Sequence, residues 1–252
     1  MAHRMHRPLL MSFLVAISAS TAYSQPSGFI EDFNDPNLNP VWQQNGDPNG
    51  HPTTIAGTYD ITDAFGTPGT ILRRTTGGTI GSFTHEVEVV LDPHLLSGPG
   101  GTLSDLKFRS IGANGILDVV YNSFGHFRVD HNDFMGNSDH IAGASPNNIT
   151  IGYTDGDTLK LRVEYFEITD TIDVSYSINS GSTVSVYSGG GIVGPIGDVV
   201  TTAVEVLVFK FGDAVPDETI VAIDNWSLVA GTSGTPGDFN LDDYVDGLDF
   251  LH

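Results

Sequence analysis

Apolar and polar residues alternate along this chain with a period of two, and a helical period is nearly absent. The alternation is cleanest over Thr158 to Glu167, where Leu159, Leu161, Val163 and Tyr165 fall on one face and Lys160, Arg162 and Glu164 on the other. Successive side chains of a strand point to opposite faces, so this segment reads as a strand with one buried and one wet side. Thr171 to Ile178 repeats the pattern, setting Ile172, Val174, Tyr176 and Ile178 against Asp173, Ser175 and Ser177. The short link Ile168-Thr169-Asp170 joins the two as an antiparallel hairpin.

Further strands are predicted at Thr70–Thr75, Ser82–Leu91, Asp105–Ile111, Ile116–Tyr121, His126–Asp130, Ile149–Tyr153, Thr183–Tyr187, Ala203–Phe211 and Thr219–Val229. Val204 to Phe211 is apolar on both faces and is expected at the centre of a sheet. Residues 92–101 and 131–148 read as long loops. Thirty glycines and thirteen prolines punctuate these runs, the pattern of an all-β chain. Strands of this number and length suit a two-sheet antiparallel sandwich better than a small barrel.

The ends differ from this body. Residues 1–24 open on Arg4 and Arg7, continue through a mostly apolar run from Pro8 to Ser18, and close on Ala22-Tyr23-Ser24. That order is the order of a secretory signal peptide, and the run is short for a membrane anchor, the other reading. The expected mature chain is secreted, to the extracellular space or the cell surface, with no membrane span. Cleavage would remove two arginines and no acid, leaving the chain more acidic than the −21 of the full sequence. A surface of that sign repels phosphate backbones, which excludes nucleic-acid binding, and draws divalent cations. The absence of cysteine excludes a disulfide scaffold, so stability rests on a sizeable core over residues 25–229. Residues 230–236, AGTSGTP, read as a flexible linker.

The last segment, residues 237–252, is GDFNLDDYVDGLDFLH. A twelve-residue EF-hand-like loop takes calcium through positions 1, 3, 5, 7, 9 and 12. Counted from Asp238, these are Asp238, Asn240, Asp242, Tyr244 through its carbonyl, Asp246 and Asp249, with apolar Val245 at position 8. Two positions depart from the pattern: Asp243 stands where glycine makes the sharp turn, and Asp249 where a longer glutamate chelates. The alternative is a merely acidic, solvated tail. The segment resembles half of a type I dockerin, a module that repeats this loop and helix twice and docks into cohesin proteins. The resemblance covers these 16 residues and implies Ca2+ binding. Docking on a cohesin-like protein would need a second copy beyond His252, and Gly247-Leu248 stand where the family's recognition pair is often Ser-Thr.

Phe29 to Trp42 (FIEDFNDPNLNPVW) and Ala222 to Val229 (AIDNWSLV) resemble the first and last strands of concanavalin A-like jelly rolls, the superfamily of laminin-G modules, lectins and laminarinase-type glycosidases. The resemblance implies a jelly-roll sandwich with carbohydrate-binding or carbohydrate-cleaving ancestry, and Asp224 near a structural calcium. Trp42 and Trp226 lie on predicted terminal strands, which usually pair, so core packing is expected of them, with a sugar platform as the alternative. The laminarinase-type enzymes carry three alternating acids on one strand; here Glu86 and Glu88 share a face but Val90 takes the third place. No G-x-S-x-G, H-E-x-x-H or cysteine nucleophile occurs.

The most polar patch is Tyr121 to His140. Its plain reading is a hairpin turning at Asn122-Ser123-Phe124-Gly125, followed by a polar loop. A ligand reading takes Tyr121, Phe124, His126, Asp130, His131 and Asp133 as a sugar surface, aromatic rings stacking while carboxylates and imidazoles bond hydroxyls. A metal reading adds Asp139 and His140. The expectation is thus a non-catalytic glycan-binding or adhesive module; the alternatives are a polysaccharide hydrolase or lyase and a structural cell-surface protein. For the tail, calorimetry on the isolated C-terminal segment should show calcium binding with a dissociation constant on the order of 10⁻⁴ to 10⁻³ M. Asp238→Ala with Asp242→Ala should abolish it, and an unchanged heat would rule the loop out.

Overall fold

A computed structural model describes residues 28–35, 40–45, 53–55, 57–62, 70–91, 101–112, 115–122, 125–133, 138–143, 148–154, 156–167, 169–190, 201–212 and 219–231. The segments read from sequence as a signal peptide (1–24) and a calcium-binding tail (237–252) lie outside these residues, as do residues 92–100 of an expected loop. Among those described, every regular element is a strand, and no helix is long and apolar enough to cross a membrane.

Among the described residues, sixteen strands form two antiparallel sheets of eight. The first sheet runs β14 (Val184–Gly190), β13 (Thr171–Ile178), β12 (Thr158–Phe166), β6 (Phe83–Leu91), β16 (Thr219–Ala230), β4 (Thr58–Thr62) and β3 (Thr53–Ile55). β1 (Phe29–Glu31) joins it on β16 beside β4, which takes the other half of that strand's length. The second runs β10 (Ser138–Ala142), β9 (His126–Asp133), β8 (Gly115–Asn122), β7 (Gly101–Ile111), β15 (Thr201–Gly212), β5 (Thr70–Ile80) and β2 (Trp42–Asn45), with β11 (Ile149–Thr150) on β9. This is the all-β, two-sheet antiparallel sandwich that the alternation calls for.

The period of two decides which side of each strand is buried. On β12, Leu159, Leu161, Val163 and Tyr165 are at most 2% exposed while the intervening Lys160, Arg162 and Glu164 reach solvent. Phe83, Val87 and Val89 of β6, Ile172 and Val174 of β13, and Ile223 and Leu228 of β16 extend this apolar layer. Leu106 and Phe108 of β7, Leu117 and Val119 of β8, Phe127 and Val129 of β9, and Val204 and Val206 of β15 oppose it from the second sheet. Burying such side chains supplies about 1.5–3 kcal/mol each, the main return against chain entropy.

Aromatic rings close one end of the core. Trp42 and Trp226 lie on opposite sheets with ring centroids 4.7 Å apart, and Phe29 meets Trp42 edge-on at 5.3 Å. The Trp42 indole N–H donates to Glu31 Oε2 at 3.1 Å, and the Arg74 guanidinium lies 4.1 Å over the Phe29 ring. β1 fits against β16 because residue 28 is glycine: a Cβ there would stand 2.1 Å from the Leu228 carbonyl oxygen.

A polar link crosses the core. His85, fully buried on β6, accepts a hydrogen bond at Nε2 from the Trp226 indole N–H at 2.8 Å. Its Nδ1 stands 2.9 Å from Ser110 Oγ on β7, in the other sheet. An indole nitrogen only donates, so Nε2 must be bare and Nδ1 must carry the proton toward Ser110. The bond from Trp226 needs the neutral imidazole, whose Nε2 is bare, and burial holds its pKa well below the ordinary value.

Several strands differ from expectation. The segment 131–148, read as a loop, continues β9 to Asp133 and then forms β10, which pairs His140 with Asp130. Its glycines and polar residues hid an edge strand whose ladder is satisfied by β9. β5 runs to Ile80 rather than ending at Thr75, and β11 is shorter than Ile149–Tyr153. Trp42 sits in the second sheet, so it meets Trp226 across the core rather than along a shared sheet.

The His85 link gives a pH signature. The unfolded histidine takes up its proton near pH 6.5 and the folded one only far below, so stability is complete above that pH and falls as pH drops. Urea unfolding should show about 1 kcal/mol lost between pH 6.5 and 5.5 relative to His85→Gln, whose slope lacks this proton. Parallel slopes would refute the assignment.

Candidate functional site

The wet face of the β12–β13 hairpin becomes the floor of a groove. β6 lies beside β12 in antiparallel register, so Glu86 stands opposite Arg162 and Glu88 opposite Lys160. On the other flank Ser175 faces Arg162 and Ser177 faces Lys160. The result is two parallel rungs, Glu86-Arg162-Ser175 and Glu88-Lys160-Ser177, each placing acceptor, donor and hydroxyl across three strands. Adjacent strands are about 4.8 Å apart and residues two apart on a strand about 6.7 Å. The rungs line a groove of ≈ 290 Å³ whose wall is Thr158 with Ser180, Gly181 and Thr183 of the β13–β14 turn.

Ion pairs set the side chains in place. Arg162 reaches Glu86 at 3.3 Å and Glu164 at 2.6 Å, and Lys160 Nζ lies 3.6 Å from Glu86 and 3.4 Å from Glu88. The Glu164 and Glu86 carboxylates hold the Arg162 guanidinium further above its ordinary pKa. Glu88 also accepts from the Asn225 amide at 2.9 Å. Lys160 and Arg162 remain 39% and 40% exposed, so a ligand can reach them.

The wall is held by a tight turn. Asn179 and Ser180 take φ of 50° and 58°, and the Gly181 N–H donates to the Ile178 carbonyl at 2.8 Å. Two consecutive left-handed residues define the hairpin turn whose twist matches the strands, and asparagine tolerates that backbone better than most residues. The Asn179 amide oxygen accepts from the Thr158 N–H at 2.9 Å, and its nitrogen donates to Asp157. Asp157 in turn takes the Thr154 N–H at 2.9 Å. These bonds hold the Asp157 carboxyl below its usual range, the side-chain bond from Thr154 contributing most. The groove wall is therefore built before any ligand arrives.

The outer face of the second sheet carries a different row. Register places Gln43, Arg73, Glu205, Arg109, Asp118, Asp130 and His140 side by side across its strands. Arg109 grips Asp118 at 2.8 Å and Glu205 at 3.4 Å, Arg73 takes Glu205 at 3.0 Å, and Arg128 and His140 each take Asp130 at 2.7 Å. Burial pushes the Asp118 carboxyl up, and Arg109 and Lys107 pull it back. Asp118 is 0% exposed at its side chain and Glu205 6%, against 22% and 24% for Glu86 and Glu88. The acids of this row serve their own cations, whereas those of the groove face solvent.

The patch read as a sugar surface is divided by strand alternation. Tyr121 and His131 turn inward at 1% and 3% exposure, with Phe127 between them in the core. Asp130 turns outward into the charged row, and the backbone N–H of half-buried His126 donates to Asn122 Oδ1 at 3.0 Å. Phe124 and the Asp133 side chain lie outside what is described, as do Asp238, Asn240, Asp242, Tyr244, Asp246 and Asp249. Among the described residues, no three His, Asp or Glu side chains gather to hold a metal. Asp224 is pushed up by burial first and then by the charges of Glu88 and Asp32. Lys160, Arg162, Ser175 and Ser177 were legible as a wet face; their meeting with Glu86 and Glu88 depends on pairing across more than seventy residues of chain.

No protein-family model matches the chain, and no curated protein matches it in sequence. Solved structures do match in fold. Lectin II from Ulex europaeus superposes with a TM-score of 0.53 at 15% identity, over 82% of this chain and 99% of that one. Peanut lectin bound to a nine-residue peptide gives 0.52 at 14%, over 81% and 97%. The GH43 protein BlXynB from Bacillus licheniformis gives 0.54 at 12%, over 80% of this chain but 39% of that one. The described sandwich thus has the concanavalin A-like jelly-roll fold shared by these lectins and by part of the GH43 protein. At such identities the likeness is one of architecture.

The clamp at the groove wall can be weighed directly. Asn179→Ala should cost about 1–2 kcal/mol in urea unfolding, from the lost side-chain bonds and the left-handed backbone. Asn179→Gly should recover the backbone part only. Equal stability for all three proteins would contradict the clamp.

Proposed function

We propose that this chain is a secreted, non-catalytic module that binds glycans in the groove of the first sheet, carrying a calcium-binding tail for extracellular assembly. The observation that supports it most is the pair of rungs, which offers solvent-open carboxylate acceptors and cationic donors above the deeper hydroxyls of Ser175 and Ser177 in one preformed groove. A sugar presents hydroxyls that both donate and accept, and such an array meets both needs. The fold agrees: one structure that shares it was solved as a lectin complexed with galactose. In the tail, Asp238, Asn240, Asp242, Tyr244, Asp246 and Asp249 would hold Ca2+. Paired with a second loop, that tail would take a cohesin-like partner.

A hydrolase is the second reading, because Glu86 and Glu88 project into one groove from one strand. Against it, Lys160 lies 3.6 Å from Glu86 and 3.4 Å from Glu88, so both carboxylates pair with the same cation.

Glycan-panel binding and calorimetry test the proposal. The chain should bind at least one polysaccharide without releasing reducing ends or unsaturated sugars. Ser177→Leu, which fills the groove, and Arg162→Ala should each weaken binding about tenfold or more, a loss of ~1.4 kcal/mol. Gln43→Ala on the other sheet should leave it unchanged. Sugar release abolished by Glu86→Gln would favour the hydrolase, and retention on a cell envelope without glycan binding would favour a structural role.

A further inference from the structure

Two cations in a groove invite an anionic ligand, yet the geometry points the other way. Lys160 lies within 3.6 Å of Glu86 and 3.4 Å of Glu88. Arg162 lies within 3.3 Å of Glu86 and 2.6 Å of Glu164. The three carboxylates outnumber the two cations, and all belong to a chain of net charge −21. An incoming carboxylate or sulfate would share Lys160 and Arg162 with acids already seated there. It would also approach against the field of the whole molecule.

We infer that the groove selects uncharged, hydroxyl-rich oligosaccharides and turns away uronate- or sulfate-bearing ones, with Glu86 and Glu88 as the residues that set this choice. The inference rests on the glycan-binding reading above. Within it, the glutamates do two things: they supply acceptors for sugar hydroxyls, and they spend the positive charge that an anion would need. Buried or half-buried like charges without a counter-ion are costly, so specificity here comes from a repulsive element as much as an attractive one. The rungs also repeat. Glu86-Arg162-Ser175 and Glu88-Lys160-Ser177 present the same order of groups about 6.7 Å apart, which suits a ligand of at least two linked units over a single sugar.

The test uses the mature full chain with neutral oligosaccharides (cello-, xylo-, manno- and chitin-derived) and acidic ones (oligogalacturonate, alginate and sulfated galactan fragments), at 20 and 500 mM salt. The wild type should bind a neutral oligosaccharide more tightly than its monosaccharide, with less than a twofold change between the two salts, and bind no acidic fragment. Glu86→Gln with Glu88→Gln frees Lys160 and leaves Arg162 with Glu164 alone, and should gain acidic-fragment binding at least tenfold at low salt, lost at 500 mM. A gained affinity cannot arise from misfolding, and an unchanged far-ultraviolet spectrum would accompany it. Acidic fragments bound best by the wild type would overturn the inference while keeping the glycan-binding reading. The same holds if the double variant gains nothing although the wild type binds neutral sugars. No binding of any glycan by either protein would overturn both.

Discussion

The fold turns on one polar contact inside an apolar core: the hydrogen-bonded line from the Trp226 indole through the His85 imidazole to the Ser110 hydroxyl. Trp226 and His85 lie on neighbouring strands of the first sheet, and Ser110 lies on the second. Apolar packing alone tolerates many ways for two sheets to slide over each other. A buried donor–acceptor line tolerates few, because any slip leaves a polar atom without water or partner. The 3.9 Å centroid separation of His85 and Phe108 adds a steric stop in the same place. With the sheets so fixed, the strand register on each outer face is fixed too, and the groove inherits its geometry from the core.

Much of this was legible in the residues. The hairpin from Thr158 to Ile178 appears in the sequence as two alternations in opposite phase, and β12 and β13 follow it. The mostly apolar Val204–Phe211 segment lies inside its sheet, between β5 and β7, although Glu205 within it turns outward into the charged row. What escaped was context. β10 reads as loop because half its residues are polar or glycine-flanked, and a strand of that kind forms only where a neighbour such as β9 offers a ladder. β5 continues through Gly77 and Gly78 to Ile80, which pairs with Thr201 of β15 beyond a break in register.

The site was legible in halves. Density of His, Asp and aromatic residues draws attention to Tyr121–His140, but density carries no direction. The alternation His126-Phe127-Arg128-Val129-Asp130-His131 sends Phe127, Val129 and His131 inward, and that sign was available in the sequence. The groove needed information that no local pattern holds. Lys160 and Arg162 acquire their meaning only when β6 pairs with β12, and the wall only when Asn179 folds back to Thr158.

The pairing of β1 with β16 has a bearing on how the molecule is made. Phe29 meets Leu228, so the earliest strand to leave the ribosome waits for the last. Closing so long a loop costs little more than closing one of half the length, since the entropy grows only with the logarithm of chain length. The delay is of another kind: dominated by distant contacts, such a topology assembles slowly and leaves bare edges until it does. Until Trp226 arrives, His85 has no indole to accept from and the β1 edge no strand to hold. The sandwich can therefore shut only once both ends of the described chain are at hand.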